Sequence, residues 1–136
     1  MLRFLTAGES HGQKLSAIIE GMPAGLKLDE ALINAELEKR QSGFGRGARM
    51  KIEKDKVNIT SGIINGFAIG SPINLEILNK DQYDFATRDK VTTPRPGHAD
   101  LSGVLKYGFD DITMVLERAS ARETAIRTAV GNVAAQ

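Results

Sequence analysis

Hydrophobic residues along the chain fall into short runs whose spacing changes from strand-like to helical and back. Leu2 to Thr6 reads as a short strand entering a polar turn, Gly8-Glu9-Ser10-His11-Gly12, and Leu15 to Ile19 supplies a second apolar run. This arrangement predicts His11 in a turn between two buried elements. After the breaker Gly21-Met22-Pro23-Ala24-Gly25, Asp29 is placed to cap a helix reaching about Arg40. Leu32, Ile33 and Leu37 would face inward, with Glu36, Lys39 and Arg40 outward. Val57, Ile59, Ser61 and Ile63 alternate as a strand does, as do Ile73, Leu75 and Ile77; Gly66 and Gly70-Ser71-Pro72 lie between them. A hairpin or meander is expected.

Residues 79 to 100 are polar and turn-rich, which predicts a long surface connection of the kind that often carries function. Ser120 precedes Glu123 by three residues, the spacing of a capping box, and Ala121, Ala125, Thr128, Ala129, Asn132 and Val133 then form a small-residue stripe. A closely packed helix is predicted after Ser120, running to Gln136 without a stop signal, as a chain cut short would. No repeat, linker or low-complexity tract divides residues 1–136, so a single unit of α+β type with no internal boundary is expected.

Composition narrows the function. With 41% hydrophobic and 26% charged residues the chain can bury a core, and a formal net charge of +1 gives no global pull toward nucleic acid or membrane. Cysteine is absent, which removes disulfides, thiolate metal sites and cysteine nucleophiles. No apolar run approaches a signal or membrane-spanning segment, and a cytoplasmic location is expected. His11 and His98 alone fall short of a usual zinc ligand set, so no metal is expected.

Three constellations can carry chemistry. Lys39, Arg40, Arg46, Arg49, Lys51, Lys54 and Lys56 surround Gly43, Gly45 and Gly47, and guanidinium groups on a permissive loop suit phosphate or carboxylate; a solvated basic loop is the plainer alternative. The loop is neither a P-loop nor a dinucleotide fingerprint, because it follows a helix and lacks GxxxxGK[ST]. His11 and His98 are the natural proton-transfer candidates, although each could be structural, partnered by Glu9 or Asp100. Arg118, Ser120 and Arg122 cluster at the predicted helix start, where an anion would be favoured unless the arginines pair with Glu117 or Asp111.

Gly8-Glu9-Ser10-His11-Gly12, with Leu15, Ile18, Ile19, Gly21 and Pro23 following, resembles the first signature of the chorismate synthase family. Glu117 to Thr124, continuing through Arg127, Gly131 and Ala134, resembles the second, and Arg95-Pro96-Gly97-His98-Ala99-Asp100 resembles an internal histidine motif. The resemblance covers all 136 residues and implies the N-terminal portion of a β-α sandwich domain. It implies anti-1,4-elimination of phosphate from 5-enolpyruvylshikimate 3-phosphate to chorismate, with reduced FMN as cofactor and NADPH as a candidate reductant. By that resemblance His11 donates a proton near the departing phosphate and His98 helps protonate the flavin. Arg40, Arg46, Arg49, Arg95 and Arg122 hold substrate or flavin anions, with Arg40 and Arg46 also candidates for NADPH. Arg118, Ala119 and Ser120 contact FMN. The family's members are more than twice this length and homotetrameric, and their C-terminal part supplies further FMN contacts and an aspartate base. Thr113-Met114 departs from the family's usual arginine followed by a small or polar residue, which weakens one anion contact. The competing class, a basic-loop module binding RNA or DNA, has only Phe44 in the loop to stack on a base.

Overall fold

The computed structural model describes residues 1–136. Strands β1 (Arg3–Ala7), β2 (Lys14–Glu20), β3 (Val57–Ser61) and β6 (Ile73–Leu78) form an antiparallel sheet in the order β1-β2-β6-β3. A small ribbon of β4 (Ile63–Ile64) and β5 (Phe67–Ala68) turns through Asn65-Gly66, both at positive φ, as a tight two-residue hairpin requires. The meander read from the β3 and β6 alternation is therefore present, with this ribbon inserted. Ile63 belongs to the ribbon and not to the strand before it.

Register explains the core. Leu15 pairs with Ile77, Ala17 with Leu75 and Ile19 with Ile73, while Val57 and Ile59 oppose Ile77 and Leu75 from the other side. One sheet face is thus continuously apolar, and α1 (Glu30–Ser42) and α5 (Glu123–Ala135) cover it with Ile33, Leu37, Ala125, Ile126, Ala129, Val130 and Val133. Asp29 caps α1 as expected, its carboxylate accepting from the Ala31 N–H at 2.8 Å. The α1 stripe is narrower than predicted: Leu32 is half exposed, because Ile33 and Leu37, one turn apart, fill the space above the sheet. Arg40, expected outward, folds back on the start of α5, where Thr124 Oγ1 and the Ala121 carbonyl accept from it at 3.0 and 3.1 Å.

Two further corrections bear on the site. β1 is an edge strand with most of its residues exposed, so the turn carrying His11 does not lie between two buried strands. The predicted capping box does not form. The Ser120 hydroxyl accepts from the Arg122 N–H at 3.1 Å, but Glu123 turns to Thr6 and to Arg127 instead of reaching back. A tight turn over 120–122 therefore leads into α5, which begins at Glu123.

Between β6 and α5 lie the irregular 79–99 stretch, as expected, and two short helices with no clear periodic signal, α3 (Asp100–Tyr107) and α4 (Thr113–Arg118). The four-residue α2 (Arg49–Ile52) was likewise too short to read from periodicity. No helix is long and apolar enough to cross a membrane.

Candidate active site

The turn between β1 and β2 is built to hold a fixed shape. Gly8 adopts φ +133, and a Cβ there would lie 2.7 Å from the Lys14 carbonyl oxygen, so the chain can double back only without a side chain. The Asn79 amide, just past β6, donates to the carbonyls of Glu9, Ser10 and Gly12 at 3.3, 3.3 and 2.8 Å. The Ser10 N–H donates to the Glu117 carbonyl at 3.0 Å, and the Tyr83 N–H to the His11 carbonyl at 2.9 Å. Backbone groups that a loop would otherwise leave to water are thereby satisfied by three distant residues on two segments.

His11 is held at every side. Its backbone N–H donates to Glu117 Oε2 at 2.6 Å and its Nδ1 lies 2.8 Å from Glu117 Oε1. Its Nε2 lies 3.3 Å from Arg49 Nη1 and 3.6 Å from Asp81 Oδ2. The ring stacks on Tyr83 at 3.8 Å between centroids, and the Arg88 guanidinium lies 4.0 Å from the same Tyr83 ring. Sequence reasoning offered Glu9 as partner; the partner is Glu117, 106 residues away.

Behind the imidazole lies a buried ion cluster. Arg49 donates to the Ser10 hydroxyl at 2.9 Å, to the Ser10 carbonyl, and to Glu53 Oε1 and the Asp81 carbonyl, both at 3.2 Å. Arg122, expected at an anion-facing helix start, is turned inward instead, bonding Asp55 at 2.7–2.8 Å and Asn79 Oδ1 at 2.8 Å with its side chain 1% exposed. Its Nη2 has no hydrogen-bond partner; Glu53 Oε2 is 3.6 Å away. Arg40 approaches Asp55 at 3.5 Å, and burial lowers its pKa from the usual arginine value. Burial pushes Glu53 up, but N–H bonds from Lys80 and Asp81, the Arg122 charge and the Arg49 bond outweigh it, so the carboxyl stays below its ordinary range. Glu53, Asp55, Asn79, Asp81, Tyr83 and Glu117 were all missed as site residues. The one available signal was the pair of acids, Glu53 and Asp55, interleaved in the basic run.

Of the remaining candidates only one reaches this cluster. Ser120 touches it through its hydroxyl, 2.9 Å from that of Ser10. Arg118 and Ala119 are exposed, the Arg118 guanidinium 5.3 Å from the Tyr107 ring centre. Arg46 is exposed on the Gly43–Gly47 loop. Arg95 grips Asp100 with Nε and Nη2 at 3.0 and 3.1 Å and with its own backbone N–H at 2.9 Å, so Asp100 pairs with the arginine and not with a histidine. His98 is exposed and shares no hydrogen bond, ion pair or ring contact with the His11 cluster. No group of three or more His, Asp and Glu side chains is placed to hold a metal ion.

Two clefts open beside the His11 turn. One, about 370 Å³, is lined by Phe85, Phe109, Met114, Glu117 and Arg118, with Thr113 on its wall; the buried Thr113 hydroxyl has no partner. The other, about 360 Å³, is polar and bounded by Gly8, Arg118, Glu123 and Arg127.

Residues 2–136 match the family model described as chorismate synthase. A chorismate synthase of Thermoanaerobacter pseudethanolicus is 58% identical over 135 residues, covering 98% of this chain and 39% of the relative. That of Alkaliphilus metalliredigens is 55% identical, covering 100% and 38%. A crystal structure of chorismate synthase superposes with a TM-score of 0.76 at 49% identity, over 97% of this chain and 32% of that one. The chain thus spans well under half the length of these relatives. Both the fold and the polar turn that organises its site lie within the matched residues, and the chain belongs to the chorismate synthase family.

Proposed function

We propose that these residues form the N-terminal portion of a single-domain chorismate synthase, a lyase that eliminates phosphate from 5-enolpyruvylshikimate 3-phosphate to give chorismate. The observation that carries this reading is the setting of His11. Arg40, Arg49 and Arg122 pair with Glu53, Asp55 and Asp81, while Glu117 holds Nδ1 of His11 and leaves Nε2 toward Arg49 and Asp81. In the reaction the bond from carbon to the phosphate oxygen breaks, its electron pair leaves with the phosphate, and His11 Nε2 gives that phosphate a proton. The proton on the opposite face of the ring goes to a base outside these residues. Arg49 fixes the imidazole and the anion beside it, Arg40 and Arg122 brace the cluster from behind, and the substrate carboxylates fall to the exposed Arg46 and to the Nη1 of Arg95 that Asp100 leaves free.

Reduced FMN, when bound, supplies electron density to the departing bond. The residues present fit part of that cofactor. The cleft of Phe85, Phe109 and Met114 offers apolar walls to a flat ring, and Arg118 offers a cation to a phosphate, beside Ala119 and Ser120. His98, on its exposed loop, is assigned to proton supply for the flavin, and NADPH to its reduction, with Arg40 and Arg46 as contacts. A cytoplasmic homotetramer completes the proposal. Nothing in the fold or the relatives supports nucleic-acid binding.

The test is chorismate formation by the complete protein given reduced FMN and the substrate. Replacement of His11 by Ala is expected to lower turnover by about 100-fold or more, the usual contribution of a positioned acid. Unchanged turnover would remove His11 from the chemistry.

A further inference from the structure

We infer that Glu117 is the positioning residue that sets which nitrogen of His11 transfers the proton, an inference that rests on the proposed role of His11. The carboxylate is 8% exposed in its side chain and its two oxygens divide the work: Oε2 accepts the His11 backbone N–H at 2.6 Å and Oε1 faces Nδ1 at 2.8 Å. A carboxylate has no proton to give, so the neutral ring must carry its hydrogen on Nδ1. Nε2 is then left with a lone pair, directed toward the Arg49 Nη1 donor at 3.3 Å. When His11 is protonated, the extra hydrogen is on Nε2, with Asp81 Oδ2 3.6 Å away. Loss of that proton leaves the Nδ1–H bond to Glu117 intact, so the imidazole need not rotate or exchange hydrogens to be ready again. The backbone bond adds a second constraint, because the same carboxylate holds both the ring and the chain that carries it. Tyr83, stacked on the ring, fixes the remaining freedom about its plane.

The two-oxygen arrangement makes Glu117→Gln informative. The His11 backbone N–H can only donate, so the glutamine carbonyl must turn to it, and the amide NH2 then faces Nδ1. Nδ1 becomes an acceptor and the neutral ring moves its hydrogen to Nε2. Comparison with His11→Ala identifies the His11 ring signals among those of the complete protein's histidines. Long-range 1H–15N spectra of the complete 15N-labelled protein, recorded where the ring is neutral, are expected to show the Nδ1–H form in the wild type and the Nε2–H form in Glu117→Gln. Turnover of the Gln variant is expected to drop about 100-fold or more with KM little changed. A wild-type ring in the Nε2–H form overturns the inference without any variant having to fold, as does a Gln variant that keeps the Nδ1–H form. The Nδ1–H form in the wild type together with full turnover of His11→Ala has a different meaning: Glu117 positions the ring, and the proton-donor reading of His11 fails.

Discussion

The chain contains two histidines beside glycines in polar turns, and the fold treats them in opposite ways. The 8–12 turn is fastened by the Asn79 amide, the Glu117 carboxylate and carbonyl, the Arg49 guanidinium and the Tyr83 ring. The 94–100 turn is fastened by one side chain pair, Arg95 with Asp100, and His98 stays exposed beyond it. Local sequence did not distinguish them. What separates a clamped imidazole from a free one is the set of distant partners, and the clamped one is surrounded by charges that would be costly to bury unpaired.

The most severe way to break this contrast is Arg122→Ala. It leaves Asp55 and Glu53 buried without their cation and strips the Asn79 carbonyl of its partner, and a loss of about 3–5 kcal/mol in urea-induced unfolding is expected. The His11 signals should broaden while those of His98 stay put. A smaller, local effect comes from acid. The Arg95 side-chain bond holds the Asp100 carboxyl below its ordinary range, so the lock is fully present above the pKa of a free aspartate and is lost as pH falls through the depressed value. The Arg95 amide resonance, which reports the bond to Asp100, is expected to shift over that acid range and to be constant above it. The slightest effect is expected from His98→Ala, which should change unfolding free energy by no more than about 0.5 kcal/mol, as for surface substitutions generally. A loss comparable with that of Arg122→Ala would mean that the two turns are not differently mounted.

Much of the sheet and the long helices was legible because their signals are local. Asp29 announced the start of α1, and alternation at Val57, Ile59 and at Ile73, Leu75, Ile77 announced β3 and β6. Leu32 was misread because apolar spacing cannot say how wide a stripe the partner leaves open. Ser120 and Glu123 had the right spacing for a mutual cap, but Thr6 and Arg127 compete for the carboxylate, and neither is visible from the motif. At the site, the sequence pointed to His11, Arg49 and Ser120 as residue types suited to anion and proton chemistry, and the fold brings these three together. Glu117 was in view only as a rival partner for the nearby arginines. Its bond to His11 spans 106 residues, and no periodicity or spacing rule reaches that far.

That separation also governs the order in which the molecule assembles. The hydrogen bonds that shape the His11 turn come from Asn79 and Glu117, across separations of 67 to 70 and 106 residues. Loops of this length cost entropy to close, and the closure is repaid only once the sheet and α5 have brought both segments to one end of β2. The His11 turn therefore takes its native shape only together with these long-range contacts, and any nascent chain that has not yet reached residue 117 carries His11 without its carboxylate.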